Sequence, residues 1–244
     1  MKTLVIGKGQ VGSALYEVIK PHHETYIKDI EALELDGVEV LQICYPEHET
    51  FKQTTLDYIK QYNPSLVIIN SSISVGTTRK IGQDIVYSPV RGRHPKLASD
   101  MKIYSKFVFC EDVEANKRAT DYFESCGLNV QSFPDTFAGE ILKLISNVHM
   151  GVEIAWRQEV ERLLKNLKID PYIYEEWEDT YRKGYIESQD FNLIRPSMSP
   201  APIGGHCILP CTEILASQYP SKILDFIIES NNQTKGDTNG TIRN

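Results

Sequence analysis

The sequence predicts an α/β fold in which a doubly wound parallel sheet is followed by a smaller all-helical domain. Two observations lead to this prediction. Short runs that are apolar throughout alternate with helix-like segments in the first half of the chain, and one long stretch with helical periodicity begins near residue 136. Strands that are apolar on both faces are typical of parallel sheets covered by helices on both sides.

Six runs are predicted to be strands, with helices between them: residues 3–6, 25–27, 38–44, 66–69, 85–87 and 107–109. From about residue 136 to residue 167, apolar side chains recur at steps of three, four or more. That spacing places them on one face of a helix, and a helix of about 30 residues is about 45 Å long. We expect this helix to be the spine of the second domain.

The expected domains are residues 1–135 for the sheet and residues 136–230 for the helices. The spine of so small a domain needs a cover, so we expect a homodimer through the long helix, besides the helices that follow Pro171. Residues 231–244 are rich in Asn, Thr and Gly, with almost no apolar residues. Such a segment buries too little to offset the entropy lost on ordering, so a flexible tail is expected.

Composition limits the classes of function. The 244 residues are 41% apolar and 24% charged, with a formal net charge of −7. Nucleic-acid binding relies on accumulated Lys and Arg, so a nucleic acid is not an expected partner. No run approaches the about 20 apolar residues of a membrane helix. The five cysteines are scattered and follow no secretory signal, so we expect a cytoplasmic protein without a membrane segment.

A glycine-rich turn follows the first predicted strand. Gly7, Gly9 and Gly12 have GxGxxG spacing, and Gln10 and Val11 open the next helix. In this context the first glycine makes the turn, the second admits a pyrophosphate and the third allows close helix packing. The phosphates then meet the positive end of the helix dipole. The turn predicts a Rossmann-type dinucleotide site, and the alternative is a plain strand-to-helix turn.

Asp29 lies at the predicted end of the second strand, 20 residues after Gly9. A carboxylate there accepts hydrogen bonds from the adenosine ribose hydroxyls, which favours NAD over NADP. The neighbouring Lys28 is compatible with a 2′-phosphate, and a solvated strand end is the alternative for Asp29. NAD is therefore the expected cofactor.

A cysteine follows a second glycine turn late in the chain. Gly204 and Gly205 allow the backbone to approach a ligand, and Pro210 suits the first turn of a helix that begins after Cys207. A helix N-terminus favours the thiolate that a nucleophile requires. Taken alone, the pattern favours a buried, inert cysteine over a nucleophile.

Several segments occur together in one order. They are Ile-Cys-Tyr-Pro at 43–46, Ser-Ser-Ile-Ser-Val-Gly-Thr-Thr at 71–78, Tyr-Ser-Pro at 87–89, Glu-Ile-Leu-Lys-Leu-Ile-Ser-Asn at 140–147 and Gly-Gly-His-Cys-Ile at 204–208. This combination resembles the UDP-glucose/GDP-mannose dehydrogenase family over roughly residues 1–218. The resemblance implies an NAD-binding domain, a helical dimerisation domain and oxidation of a nucleotide sugar. The family's third domain, a second Rossmann-like unit, has no counterpart in these residues.

The resemblance also implies roles for single residues. Cys207 matches the nucleophile that captures the aldehyde as a thiohemiacetal, while Lys143 and Asn147 match groups that stabilise the oxyanion. The spacing agrees with this role, because residues four apart share a helix face and a cation with an amide donor suits an oxyanion. A solvated Lys and a surface Asn are the alternative that the residues alone leave open.

Other positions match in part. Tyr45 and Pro46 correspond to the exit of the family's third strand, beside the cofactor, and Ser72 keeps a hydroxyl at the family's threonine position. Two acids are replaced: the glutamate after Ser-Pro is Val90, and the aspartate after the nucleophile is Cys211. Those acids assist proton transfer and thioester hydrolysis in the family, so the second oxidation is left open.

Arginines provide candidate sites for a small anionic substrate. Arg91 and Arg93 lie in a basic loop at the carboxyl end of a predicted strand, where open α/β sheets bind ligands. Arg195 precedes the Pro-rich approach to the cysteine turn. The arginine fork binds phosphate or carboxylate with two hydrogen bonds. A solvated charge run is the alternative, and the histidines show no spacing for a metal.

These patterns favour an NAD-dependent dehydrogenase that oxidises a primary alcohol of a sugar or sugar nucleotide. Two other hypotheses stay open. One is a dinucleotide-binding sensor or assembly protein with impaired catalysis, suggested by Val90 and Cys211. The other is a dehydrogenase of a small hydroxy acid or phosphorylated alcohol, whose anion Arg91 and Arg93 would bind.

Overall fold

The computed structural model describes the backbone of residues 1–241 and the side chains of residues 1–237. The chain forms two compact units, Met1–Leu144 and Ile145–Asn244. The division falls inside one long helix, nearer the carboxyl terminus than the boundary at residue 135 that the sequence suggests.

Among the described residues, the first unit contains a seven-stranded sheet with the order β2-β1-β3-β4-β5-β6-β7. The strands are β1 Lys2–Ile6, β2 Glu24–Lys28, β3 Val40–Ile43, β4 Leu66–Ile69, β5 Val86–Tyr87, β6 Lys106–Phe109 and β7 Val130–Phe133. All six strands predicted from the sequence are confirmed. β7 was not predicted, because its last three residues are exposed and two of them, Gln131 and Ser132, are polar.

Strand directions agree with the predicted parallel sheet at every pair but one. β1 to β5 run in one direction, and β6 is antiparallel to β5 and parallel to β7. A buried apolar run looks the same in either direction, so the sequence pattern does not reveal this reversal. The chain places β2 and β3 on opposite sides of β1, which creates a topological switch point at the carboxyl ends of β1 and β3.

Helices cover both faces of this sheet. They are α1 Gln10–Ile19, α2 Phe51–Tyr62, α3 Thr77–Ile81, α4 Leu97–Ile103 and α5 Val113–Ser125. Alternate residues of β1 enter different cores: Val5 packs in the cluster that contains Leu15 of α1, and Leu4 packs in the cluster that contains Phe51 of α2. The period-two alternation of a strand produces this division.

The remaining residues are helical. α6 Thr136–Asn166 starts in the first unit and continues into the second, followed by α7 Pro171–Glu187, a 3₁₀ turn Phe191–Leu193, α8 Ile208–Gln218 and α9 Lys222–Thr241. α6 confirms the long helix predicted over residues 136–167. α7 begins where the Asp170 carboxylate accepts a hydrogen bond from the Tyr172 N–H.

The flexible tail predicted over residues 231–244 is wrong for most of its length, because α9 continues to Thr241. Asn231 and Thr234 are only 1% and 8% exposed, and both form hydrogen bonds with residues outside α9. Burial and polar pairing therefore order a segment whose composition is poor in apolar residues. Residues 242–244 lie outside the described residues.

Candidate functional site

The loop between β1 and α1 is built around two glycines that tolerate no side chain. Gly7 has φ +108°, and a Cβ there would lie 2.9 Å from the carbonyl carbon of Cys44. A Cβ at Gly12 would lie 1.8 Å from the Gly7 carbonyl oxygen. These contacts bring the first turn of α1 against the carboxyl ends of β1 and β3.

Gly9 differs, because a Cβ there would meet no atom within 4 Å. Gly9 directly precedes α1, whose first turn begins with Gln10 and Val11. It has no side chain that could accept hydrogen bonds from the N–H groups of that turn. An α-helix leaves those donors unpaired, and the helix dipole adds partial positive charge there. Open space beside exposed backbone donors fits a pyrophosphate, so this loop is suited to a dinucleotide.

The end of β2 carries the carboxylate expected to bind ribose. Asp29 directly follows β2 and is exposed. Lys28 is buried, and its ammonium lies 4.7 Å from the centre of the Tyr58 ring. Lys28, the cation that was compatible with a 2′-phosphate, therefore makes a cation–π contact within the protein.

An ion pair that the sequence reading missed connects the two loops. Lys8 donates to the Glu31 carboxylate, and this hydrogen bond lowers the pKa of Glu31 to about 2. Lys8 lies between Gly7 and Gly9, and Glu31 lies two residues beyond Asp29. The x positions of a GxGxxG motif carry no spacing signal, so the partner was not predictable.

The ends of β3 and β4 are tied together. The Ser71 hydroxyl donates to the Tyr45 carbonyl oxygen at 2.6 Å, and Ser72 follows in a half-buried position. The Tyr45 hydroxyl lies 2.6 Å from Thr55 Oγ1, and burial raises the pKa of Tyr45 to about 12. Pro46 follows in an exposed position. The predicted cofactor residues of these two strands thus lie at neighbouring strand ends.

Two glutamates fix the segment from Ser74 to Thr78, and the sequence reading gave neither a role. Glu47 accepts hydrogen bonds from the Ser74 N–H and hydroxyl, both at 2.7 Å. Glu140, on α6, is fully buried and accepts from the N–H of Gly76 and from the N–H and hydroxyl of Thr78. These bonds attach the start of α6 to the segment that begins α3.

Two lysines hold the Ser-Pro-Val segment at the end of β5. Lys143 donates to the Val90 carbonyl oxygen at 3.0 Å. Lys106 is buried and donates to the Ser88 carbonyl oxygen at 2.6 Å and to Asn70 Oδ1 at 3.1 Å. Burial, with a smaller contribution from the nearby Lys143, lowers the pKa of Lys106 to about 7. Val90 itself is buried, at the position where the family has an acid.

The basic loop is exposed, as a ligand-binding loop must be. Arg91 lies with its guanidinium 4.9 Å from the centre of the Phe107 ring. Arg93 contacts the buried carboxylate of Asp100, which also accepts a hydrogen bond from the Arg93 N–H at 2.8 Å. The Arg93 side chain is 76% exposed, so its guanidinium remains accessible to an anion.

In the second unit, the predicted cysteine turn has the expected local geometry. Cys207 is the N-cap of α8, with no side-chain capping bond. Gly205 has φ +77°, which favours glycine, and a Cβ at Gly204 or Gly205 would meet no atom within 4 Å. All five cysteines lie within the described residues, and none forms a disulfide. The open glycine backbone beside a helix N-terminus is suited to a polar or anionic ligand.

Asn147 and Arg195 have protein partners in this unit. The Asn147 amide donates to Cys211 Sγ at 3.0 Å, and Cys211 is buried. Arg195 pairs with Glu178 at 2.8 Å and stacks 4.6 Å from the Tyr181 ring centre. An anion at Arg195 would therefore compete with a carboxylate.

The described part of the chain contains neither a membrane-spanning helix nor a metal-binding cluster. Within residues 1–241 no helix is both long enough and apolar enough to cross a membrane. The described side chains contain no group of three His, Cys, Asp or Glu residues placed to hold a metal ion.

Comparison with known proteins points to dehydrogenases. No protein-family profile matches the chain. A curated relative, the UDP-N-acetyl-D-mannosamine dehydrogenase of Methanocaldococcus jannaschii, is 23% identical over 169 residues, which are 65% of this chain and 37% of that protein. The chain therefore matches little more than a third of the length of this relative.

Solved structures share the fold. The UDP-D-ManNAc dehydrogenase of Pyrococcus horikoshii superposes with a TM-score of 0.78 at 17% identity, covering 98% of this chain and 70% of that one. The 3-hydroxyisobutyrate dehydrogenase of Mycobacterium tuberculosis gives 0.69 at 14% identity, covering 95% and 91%. The predicted fold class and the resemblance to nucleotide-sugar dehydrogenases are thus confirmed.

Proposed function

We propose that the chain is a nicotinamide-dependent dehydrogenase that uses NAD to oxidise a primary alcohol of a sugar or sugar nucleotide. The observation that carries the proposal is the β1–α1 loop: Gly7 and Gly12 are closed to any side chain, while Gly9 opens onto free space before the helix N-terminus. The similarity to a UDP-N-acetyl-D-mannosamine dehydrogenase supports the substrate class.

The residues of the first unit would bind and orient the cofactor. The backbone from Gly9 to Gly12 donates to the pyrophosphate, and Asp29 accepts from the ribose hydroxyls. The ion pair between Lys8 and Glu31 keeps the Lys8 ammonium occupied, which supports NAD over NADP. A bound nicotinamide would supply the acceptor for the hydride that leaves the substrate carbon, and the hydroxyl proton would pass to water.

Cys207 is the proposed nucleophile. Its thiolate sulfur attacks the aldehyde carbon produced by the first oxidation, and the carbonyl electron pair moves to oxygen, which forms a thiohemiacetal after protonation. Lys143 and Asn147, four residues apart on α6, are the proposed donors to that oxygen. Their present partners, the Val90 carbonyl and the Cys211 thiol, would be exchanged for substrate.

An anionic substrate and a second copy of the chain complete the proposal. Arg91 and Arg93 are exposed cations in the loop that follows β5, at the carboxyl end of the sheet. Trp156 and Leu163 on α6 are 57% and 56% exposed, and none of the described residues of α7 is buried. Exposed aromatic and aliphatic side chains on neighbouring helices are typical of an interface, which supports a homodimer through α6. Sedimentation analysis measures whether the chain is a monomer or a dimer in solution.

A second candidate is a dehydrogenase of a small hydroxy acid. The specific observation in its favour is that the chain covers 91% of the 3-hydroxyisobutyrate dehydrogenase that shares its fold. Arg91 or Arg93 would bind the carboxylate by the same paired hydrogen bonds.

The test is reduction of NAD in the presence of UDP-sugars, GDP-sugars, sugar phosphates and hydroxy acids, with Cys207→Ala in parallel. The proposal expects turnover of a sugar or sugar nucleotide that the variant loses. Turnover of hydroxy acids alone would favour the second candidate. Tight binding of NAD with no turnover of any class would contradict both.

A further inference from the structure

The segment that leads to Cys207 has little regular structure of its own. Residues 194–207, between the 3₁₀ turn and α8, form neither helix nor strand. Pro196, Pro200 and Pro202 lie within it and cannot donate backbone hydrogen bonds. Hydrogen bonds from side chains of other elements therefore contribute to holding its path.

Two buried amides contact this segment on either side of Pro202. The Gln158 amide, on α6, donates to the Ala201 carbonyl oxygen at 2.9 Å. The Asn231 side-chain oxygen, on α9, accepts from the Ile203 N–H at 2.7 Å. Both side chains are 1% exposed, so water cannot replace either bond without an opening of the structure.

The amides are themselves held in place. The Ser230 hydroxyl lies 2.9 Å from Gln158 Oε1, so the Gln158 oxygen faces Ser230 and its NH₂ group faces Ala201. Arg162 donates to Ser230 and, at 2.8 Å, to Thr234 Oγ1. The network joins α6 to α9 and leaves the Gln158 amide with one orientation, while the Ile203 N–H sets the orientation of the Asn231 amide.

Directly after Ile203, the backbone has free space beside it. The Ile203 side chain is 6% exposed, whereas a Cβ at Gly204 or Gly205 would meet no atom within 4 Å. Ile203 is thus a firm anchor directly before the two glycines and Cys207.

We propose that Asn231, supported by Gln158, is a positioning residue that fixes Ile203 and thereby sets where the Cys207 thiol stands at the start of α8. This inference rests on the proposed function only for the nucleophilic role of the Cys207 thiol. It assigns a role to Asn231, which lies in the stretch 231–244 whose composition alone indicates a flexible tail.

The test compares three variants of the full chain by two measurements that need neither substrate nor cofactor. Asn231→Leu keeps the size of the side chain and removes the acceptor. Asn231→Asp retains an acceptor oxygen and is the rescue variant. Asn232→Leu makes the same substitution at the next position of α9, where the side chain is exposed, and is the matched control.

The measurements are amide hydrogen exchange across residues 201–207 and the rate of iodoacetamide alkylation at Cys207, read by peptide mass spectrometry. We expect Asn231→Leu to lose protection at Ile203 and to change the alkylation rate about tenfold, while Asn231→Asp and Asn232→Leu stay within about twofold of the parent. If Asn231→Leu fails to fold, Gln158→Met, which preserves side-chain volume and removes the donor, replaces it with the same expectation.

Equal alkylation rates in Asn231→Leu and the parent would overturn the inference. So would an equal change in Asn232→Leu, because the effect would then come from a leucine substitution in α9 rather than from loss of this contact. A parent protein whose Cys207 is alkylated normally but which never reduces NAD would contradict the proposed function and leave the positioning result readable.

Discussion

At the scale of single residues, the glycines of the β1–α1 loop have different jobs. Replacing a helical glycine by alanine ordinarily stabilises a helix by about 0.5–1 kcal/mol. At Gly12 the added Cβ would stand 1.8 Å from the Gly7 carbonyl oxygen, which is backbone and cannot move aside. Steric overlap therefore exceeds the gain in helix propensity at this position.

We predict that Gly12→Ala lowers the free energy of unfolding by about 1–3 kcal/mol, the usual range for overpacking. Urea denaturation followed by circular dichroism measures it. Gly184→Ala in α7 is the matched control, because a Cβ there meets no atom within 4 Å. A Gly12→Ala protein as stable as the parent would show that the loop packs less tightly than the structure indicates.

Lys106 gives a prediction about pH. Its pKa falls from 10.5 to about 7 on burial, so between pH 7 and 10 the unfolded chain binds a proton there that the folded chain does not. Stability contributed by this group therefore rises with pH in that window, by about 2 kcal/mol from pH 7 to pH 9.

Lys106→Met should remove that rise. The measurement is the free energy of unfolding of both proteins at pH 7 and at pH 9, compared as the difference between the two pH values so that other titrating groups cancel. Identical pH dependence in parent and variant would mean that Lys106 keeps an ordinary pKa in the folded protein.

At the scale of elements, Glu140 joins the beginning of α6 to the segment before α3. Its carboxylate accepts from three donors around Gly76 and Thr78. Glu140→Gln replaces one acceptor oxygen by an NH₂ group that faces an N–H, which leaves a buried donor unpaired. We predict a loss of about 1–3 kcal/mol in the free energy of unfolding.

Urea denaturation of Glu140→Gln beside Glu49→Gln, an exposed glutamate, checks this prediction. Surface changes of that kind stay within about 0.5 kcal/mol. Similar values for the two variants would mean that the carboxylate does not anchor α6.

Elements with strong periodicity could be predicted from the sequence, and those ordered by distant contacts could not. α6 repeats apolar residues along one face and was found where predicted. From residue 231 onward α9 has no comparable signal, and this part is stabilised by pairs such as Asn231 with Ile203 and Thr234 with Arg162. Such partners are far apart in sequence, so only the fold reveals them.

The sequence likewise predicts some features of the candidate site and not others. The GxGxxG spacing identified the turn, because Gly7 and Gly12 each have a steric reason to be glycine. The Lys8–Glu31 pair and the buried ammonium of Lys106 were missed, since isolated charges in a sequence do not show which of them meet. Motifs predict backbone geometry better than they predict side-chain pairing.

At the scale of the whole molecule, fold alone does not choose the substrate. The chain has the fold of both a nucleotide-sugar dehydrogenase and a hydroxy-acid dehydrogenase, and one fold can support many reactions. The proposal gives either reaction the same dinucleotide loop. Cofactor binding is therefore the claim on which every other part of the proposal depends.

Calorimetric titration of NAD into the parent protein and into Gly9→Ala tests that claim most directly. Because a Cβ at Gly9 points into open space, the variant should unfold at the same temperature as the parent. It should nevertheless bind NAD at least about tenfold more weakly, since the methyl group occupies the path of the pyrophosphate. A parent protein that gives no binding heat, or a variant that binds equally well, would contradict a dinucleotide site at this loop.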